Sequence, residues 1–102
     1  ETAKKVYDAG LKTYERVWEL PLYEVYMEEV KSDIADLNNI GTSYPNASSI
    51  SAAAFLSKFV QKTPWMHIDI AGTAWYSKSR YYMPKGGTGF GVRLMIEYLK
   101  NS

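Results

Sequence analysis

The chain has no cysteine and one histidine, His67, in 102 residues. The first absence excludes a disulfide framework, a thiolate zinc site and a cysteine nucleophile, and it points to a reducing compartment. The second excludes a multi-histidine metal site built from one copy. No apolar run approaches the roughly 18 residues needed to span a bilayer, so no membrane segment is expected. Charge of one sign is also scarce, because twelve Lys and Arg oppose eleven Asp and Glu for a net charge of +1. That balance is far from the basic excess of a dedicated nucleic-acid module. What remains is 46% hydrophobic and 23% charged, enough for one soluble globular unit that buries roughly two-thirds of its unfolded surface.

The opening Glu1-Thr2-Ala3-Lys4-Lys5 is neither a signal nor a transit peptide. Ala3, Val6, Tyr7, Gly10, Leu11 and Tyr14 recur at helical spacing, which places a helix at the first residues and suggests a start inside a longer protein. Arg16 to Leu20 alternates and reads as a short strand closed by Pro21. Leu22, Val25, Tyr26 and Val30 return to helical spacing, opposite the acidic Glu24, Glu28 and Glu29. Ser32 to Leu37 reads as a second strand, followed by a loop through Asn38-Asn39-Ile40-Gly41 and Thr42 to Asn46. Ile50 to Val60 predicts a helix capped by Ser48 or Ser49 and ended by Pro64, with Ala52, Ala53 and Ala54 allowing close packing. Trp65 to Ile70 reads as a third, buried strand, turning at Ala71-Gly72 into a long loop. The final helix carries Val92, Met95, Ile96 and Leu99 as one stripe widened by Leu94 and Tyr98, with Thr88 as its N-cap. Helices alternating with strands predict an α/β fold, helices flanking a mixed β-sheet, with further strands expected upstream.

Four groupings invite a chemical reading. His67 and Asp69 share a strand face but point in parallel, and no Gly-x-Ser-x-Gly elbow supplies a nucleophile, so a structural pair is favoured over a catalytic one. Asp33 and Asp36, three apart on a strand, point to opposite faces and cannot share an ion unaided. Lys85-Gly86-Gly87-Thr88-Gly89-Phe90-Gly91 has its lysine before the glycines, the wrong order for a phosphate loop. A helix N-terminus able to hold an anion survives there, though close packing is the favoured role. Ala71 to Ile96 carries Lys78, Arg80, Lys85 and Arg93 without an acid, among Trp75, Tyr76, Tyr81, Tyr82 and Phe90. That mixture suits single-stranded nucleic acid, and equally a subunit contact or a lid.

Three stretches taken together resemble the C-terminal end of the leucyl aminopeptidase (cytosol aminopeptidase) family. They are Glu15 to Leu22; Ser32 to Gly41 with Ser51 to Leu56; and Trp65 to Trp75 with Thr88 to Leu94. They occur in the family's order and cover nearly the whole chain. The resemblance implies that residues 1–102 are the C-terminal segment of a metallo-aminopeptidase catalytic domain, cytoplasmic and hexameric, which releases N-terminal amino acids from peptides with two divalent metals, zinc or manganese. The family's metal-binding signature, Asn-Thr-Asp-Ala-Glu-Gly-Arg, is not among these residues, so no catalytic residue and no metal ligand is expected in this chain. By the same resemblance, Ala71 and Ala74 line the pocket for the substrate's first side chain, and Ile40 contacts the residue after the scissile bond. The alternative is a non-catalytic module that uses the basic aromatic loop 75–93 for single-stranded nucleic acid or a protein partner.

Overall fold

The computed structural model describes residues 1–41 and 48–102, and these form two compact units. Unit 1 comprises residues 1–19 and 68–102, and unit 2 comprises residues 20–67.

Unit 1 is built on two helices, α1 (Thr2–Thr13) and α3 (Val92–Lys100), which pack on each other. The expected helix at the first residues is present, and its buried positions are Val6, Ala9 and Gly10. Leu11 and Tyr14, placed on the same stripe by spacing, are exposed. The reason lies in how α1 ends. Tyr14 adopts a left-handed conformation at φ 59°, turning the chain back so that Glu15 and Arg16 cross above Gly10. A Cβ at Gly10 would lie 2.8 Å from the Glu15 carbonyl oxygen and 3.4 Å from Leu94 Cδ1, so glycine is what permits the crossing. Arg16 then lies 4.9 Å from the centre of the Tyr14 ring, a cation–π contact that holds the reversal.

From α3 the core takes Leu94, which is fully buried, a burial worth about 1.5–3 kcal/mol. Val92, Ile96 and Leu99, expected as the main stripe, are exposed instead, so the inward face is turned toward the residues expected only to widen it. Between the helices the expected long loop is an antiparallel hairpin. Strand β1 (Trp75–Tyr76) pairs with β2 (Gly86–Gly87), Trp75 opposite Gly87 and Tyr76 opposite Gly86. Arg80 and Met83 exchange hydrogen bonds of 2.8 and 2.7 Å around a tip formed by Tyr81 and Tyr82. Tyr81, at φ 50°, occupies a backbone region that costs a non-glycine residue roughly 1–2 kcal/mol.

In unit 2 a 3₁₀ helix (Glu24–Val30) packs against α2 (Ser48–Ser57). Helical spacing after Leu22 located the first of these, in the tighter 3₁₀ form. Val30, Ala53 and Ala54 form the buried contact, so two of the three consecutive alanines do the close packing expected of them. Ser57 Oγ donates to the Ala54 carbonyl at 2.7 Å and lies 3.5 Å from Met27 Sδ, tying the two helices together. Asn38 closes the intervening loop, donating from its backbone to Val30 and from its side-chain amide to Lys31.

The three expected strands, Arg16–Leu20, Ser32–Leu37 and Trp65–Ile70, do not form. A strand is stabilised by a neighbour's ladder and by a covered face, and no other strand among the described residues lies beside these segments. At 32–37 a local competitor also acts, because Ser32 Oγ accepts from the backbone N–H groups of Ile34 and Ala35 and bends the chain. Among the described residues the sheet is two-stranded and antiparallel, and the strand-like segments 16–20, 32–37 and 65–70 take no part in it. The cap expected from Ser48 or Ser49 is corrected, since Ser48 is already the first residue of α2. The loop expected over Thr42 to Asn46 lies outside the described residues.

Candidate functional site

The turn after Ile70 is built by short-range hydrogen bonds. Asp69 Oδ1 accepts from the Ala71 backbone N–H at 2.9 Å, and the Ile70 carbonyl accepts from the N–H groups of Thr73 and Ala74 at 3.0 and 2.9 Å. The Thr73 hydroxyl donates to that same carbonyl at 3.2 Å. Ala71 is exposed and Ala74 half-buried, so both sequence-selected alanines sit on one fixed turn with only a methyl group each. Asp69, favoured as structural from the sequence, is so engaged.

The turn is fastened to the segment before α3. Thr88 donates its backbone N–H to the Ala74 carbonyl at 2.9 Å and its hydroxyl to the Thr73 carbonyl at 2.6 Å. The same hydroxyl accepts from Phe90 N–H at 3.1 Å. Thr88 is therefore not the N-cap of α3 that the sequence suggested. The cap position is Gly91, at φ 99°, which has no side chain to offer.

Capping is done from a distance by Glu15. Its Oε2 accepts from the N–H groups of Gly91 at 3.0 Å and Leu94 at 2.9 Å, and its Oε1 accepts from Arg93 Nε at 3.1 Å. The carboxylate is buried, and the positive end of the helix, together with the guanidinium, compensates its charge. Hydrogen bonding to Glu15 raises Arg93 further above its ordinary range, with burial opposing and Tyr82 assisting. The anion-holding helix N-terminus read in the glycine-rich segment is thus real, and an internal carboxylate fills it. Packing, the role favoured there, is not what the glycines serve. A Cβ at Gly89 or Gly91 would meet nothing within 4 Å, but both have positive φ, 67° and 99°.

Thr73, Thr88, Phe90, Arg93, Glu15 and Trp18 help to line an open cleft of about 640 Å³ within unit 1. Its walls are aromatic and aliphatic, with the Glu15–Arg93 pair at one side. Neither Glu15 nor the stapling role of Thr88 was anticipated. The available signal for Glu15 was a negative one, since α3 opens on Gly-Phe-Gly-Val-Arg with no acidic residue in its first turn and no capping side chain. Such a helix needs a partner from elsewhere.

Ile40 lies in unit 2, exposed on the bend that follows Asn38 and Asn39. Gly41 beside it approaches α2 closely, since a Cβ there would stand 2.9 Å from Ser51 Oγ. His67, also in unit 2, has its ring 6.5 Å from that of Trp65, and its Nε2 is enclosed without a hydrogen-bond partner among the described residues. The satisfied histidine expected from the sequence is not found. Among the described residues no group of three or more His, Asp and Glu side chains is placed to hold a metal ion, and Asp33 and Asp36 are the first and last residues of the bend that follows Ser32. The donors of the described residues therefore do not fit a two-metal centre. No helix among the described residues is long and apolar enough to cross a membrane.

Comparison with known proteins gives this geometry its context. Residues 1–96 match the family model described as the cytosol aminopeptidase family, catalytic domain. The probable cytosol aminopeptidase of Geobacter sulfurreducens is 60% identical over 92 residues, covering 90% of this chain and 18% of that protein. That of Syntrophotalea carbinolica is 50% identical over 100 residues, covering 98% of this chain and 20% of that protein. That of Cenarchaeum symbiosum is 48% identical over 101 residues, covering 96% of this chain and 20% of that protein. The chain thus spans about a fifth of the length of these relatives. A match that runs through α1, α2, the Ile70–Ala74 turn and most of α3 shows that the chain belongs to the cytosol aminopeptidase family, within its catalytic domain.

Proposed function

We propose that this chain is the C-terminal portion of the catalytic domain of an aminopeptidase that releases N-terminal residues from peptides. The observation that carries the reading is the family match over residues 1–96, supported by relatives named probable cytosol aminopeptidase. On this reading Ala71 and Ala74 form part of the wall for the substrate's first side chain. Two methyl groups on a hydrogen-bonded turn leave volume for a bulky apolar side chain such as leucine. Ile40, exposed on its bend, is assigned to the residue after the scissile bond.

The family resemblance brings two divalent metals, zinc or manganese, to the full-length enzyme. Since this chain's described residues offer no ligand set for them, the ligands are assigned to the rest of the protein, and no chemical step is assigned to residues 1–102. The segments Arg16–Leu20 and Trp65–Ile70, strand-like in sequence but unpaired here, are assigned as strands of a wider mixed sheet completed by the rest of that domain. A cytoplasmic hexamer is the assembly this reading entails.

The test is hydrolysis of leucine amides and of unblocked peptides by the full-length protein, alongside the 102-residue chain. Activity is expected in the first and none in the second. Cleavage of amino-blocked peptides at internal bonds, or activity in the isolated chain, would overturn the reading.

A further inference from the structure

Thr88 joins the Ile70–Ala74 turn to the start of α3 through both backbone and side chain. Its N–H and hydroxyl reach the consecutive carbonyls of Ala74 and Thr73, and its hydroxyl oxygen also accepts from Phe90 N–H. One hydroxyl has one hydrogen to give and lone pairs to receive, so this pattern uses it fully as donor and also as acceptor. Phe90 in turn precedes Gly91, whose N–H is gripped by the buried Glu15 carboxylate. The turn carrying Ala71 and Ala74 is therefore tied, through Thr88, to a helix end that is itself clamped. Within the turn, Asp69 Oδ1 accepts from the Ala71 N–H and the Ile70 carbonyl accepts from Thr73 and Ala74, bonds that set its shape.

We infer that Thr88 is a positioning residue for substrate selectivity: its hydroxyl fixes the distance of the Ala71–Ala74 wall from the bound side chain without touching substrate. The inference rests on the aminopeptidase reading above. A wall held in one position discriminates between large and small side chains, whereas a wall free to shift tolerates both. Thr88→Val keeps the shape and the backbone bond to Ala74, and it removes only the hydroxyl.

The experiment measures kcat/KM of the full-length protein on leucine and alanine amides for the wild type, Thr88→Val and Thr88→Ser. Thr88→Val is expected to lower the leucine-to-alanine ratio by up to about tenfold, chiefly through KM for leucine, since one neutral hydrogen bond is worth about that much. Thr88→Ser restores the hydroxyl and should return the ratio to within about twofold of the wild type. A second measurement uses the wild type alone: leucinol should slow hydrogen exchange at the Thr88 amide more than alaninol does. An equal loss on both substrates, an unchanged ratio, or a Thr88→Ser variant that behaves as Thr88→Val would overturn the inference, leaving a residue that only supports the fold. Should Thr88→Val not fold, equal exchange with the two amino alcohols overturns it. A wild type that hydrolyses neither amide refutes the aminopeptidase reading, and the selectivity role with it.

Discussion

Removing the Glu15 side chain should loosen the start of α3 before it affects anything else. In Glu15→Ala the N–H groups of Gly91 and Leu94 lose their acceptor, and Arg93 loses its carboxylate. Loss of a helix cap costs about 1 kcal/mol, and a donor left without a partner inside the protein costs about 1–3 kcal/mol, so a total of about 2–4 kcal/mol is expected. No credit is given to the Arg93 ion pair, because the guanidinium is half exposed and screened by solvent. Glu15→Gln separates the contributions. Its carbonyl oxygen can take the place of Oε2 on the two backbone donors, but its amide then faces Arg93 donor to donor, so a smaller loss of about 1 kcal/mol is expected. Native-state hydrogen exchange at Gly91 and Leu94 is the assay, since each 1.4 kcal/mol of lost local stability speeds exchange about tenfold. At least a thirtyfold acceleration is expected in Glu15→Ala, with about fivefold in Glu15→Gln. Unchanged exchange at both amides in a folded Glu15→Ala protein would refute remote capping.

Four further outcomes follow from the same geometry. Gly10→Ala should destabilise the protein by about 1–3 kcal/mol in chemical denaturation, because the new Cβ meets the Glu15 carbonyl at 2.8 Å; a neutral effect would mean that the crossing segment yields freely. Ala71→Leu or Ala74→Leu in the full-length protein should reduce turnover of leucine amides more than of alanine amides, by about 1–3 kcal/mol in relative kcat/KM, and equal losses would remove these residues from the pocket. Single-stranded oligonucleotides should show no tight, salt-sensitive binding despite the basic aromatic hairpin, because the chain's net charge is only +1; tight binding that weakens steeply with salt would favour the binding-module alternative. The isolated 102-residue chain should self-associate in light scattering at micromolar concentration, since Trp18 and Ile34 are 80% and 99% exposed, and a sharp monomer peak with cooperative unfolding would contradict this.

What the sequence made legible was local. The helical stripe from Ala3, the alanine-rich helix after Ser48 and the turn at Ala71-Gly72 each depend on residues within one or two turns of chain, and each is present. The strands failed because their stabilisation is not local. Trp65 to Ile70 has the alternation of a buried strand, yet alternation supplies only a face, and no ladder partner for it lies among the described residues. The face of α3 was misjudged for a related reason. Spacing finds a stripe, but Leu94 faces inward because Gly10 leaves room for it, and that room exists only once the Tyr14 reversal has brought Glu15 across α1.

The site divides along the same line. Ala71 and Ala74 are proposed as pocket residues through family likeness, whereas the two residues that fasten their turn and the start of α3 gave no such signal. Glu15 lies 76 positions from Gly91, and Thr88 lies 15 from Thr73. In both cases the sequence displayed the need without the supplier: a helix beginning on glycine with no capping side chain, and a turn whose outer carbonyls have no acceptor role inside it. Thr88 was assigned to the nearest need, the cap of α3, yet its hydroxyl serves the more distant turn. Since the buried Leu94 N–H has no helical carbonyl behind it, something had to accept its hydrogen bond, and the Glu15 carboxylate, carried past the end of α1 by the Tyr14 reversal, satisfies Gly91, Leu94 and Arg93 together. The wall proposed for the substrate pocket thus stands on α1 as much as on its own turn. Substitutions at the α1 terminus, far in sequence from Ala74, belong among the first places to look for changed selectivity.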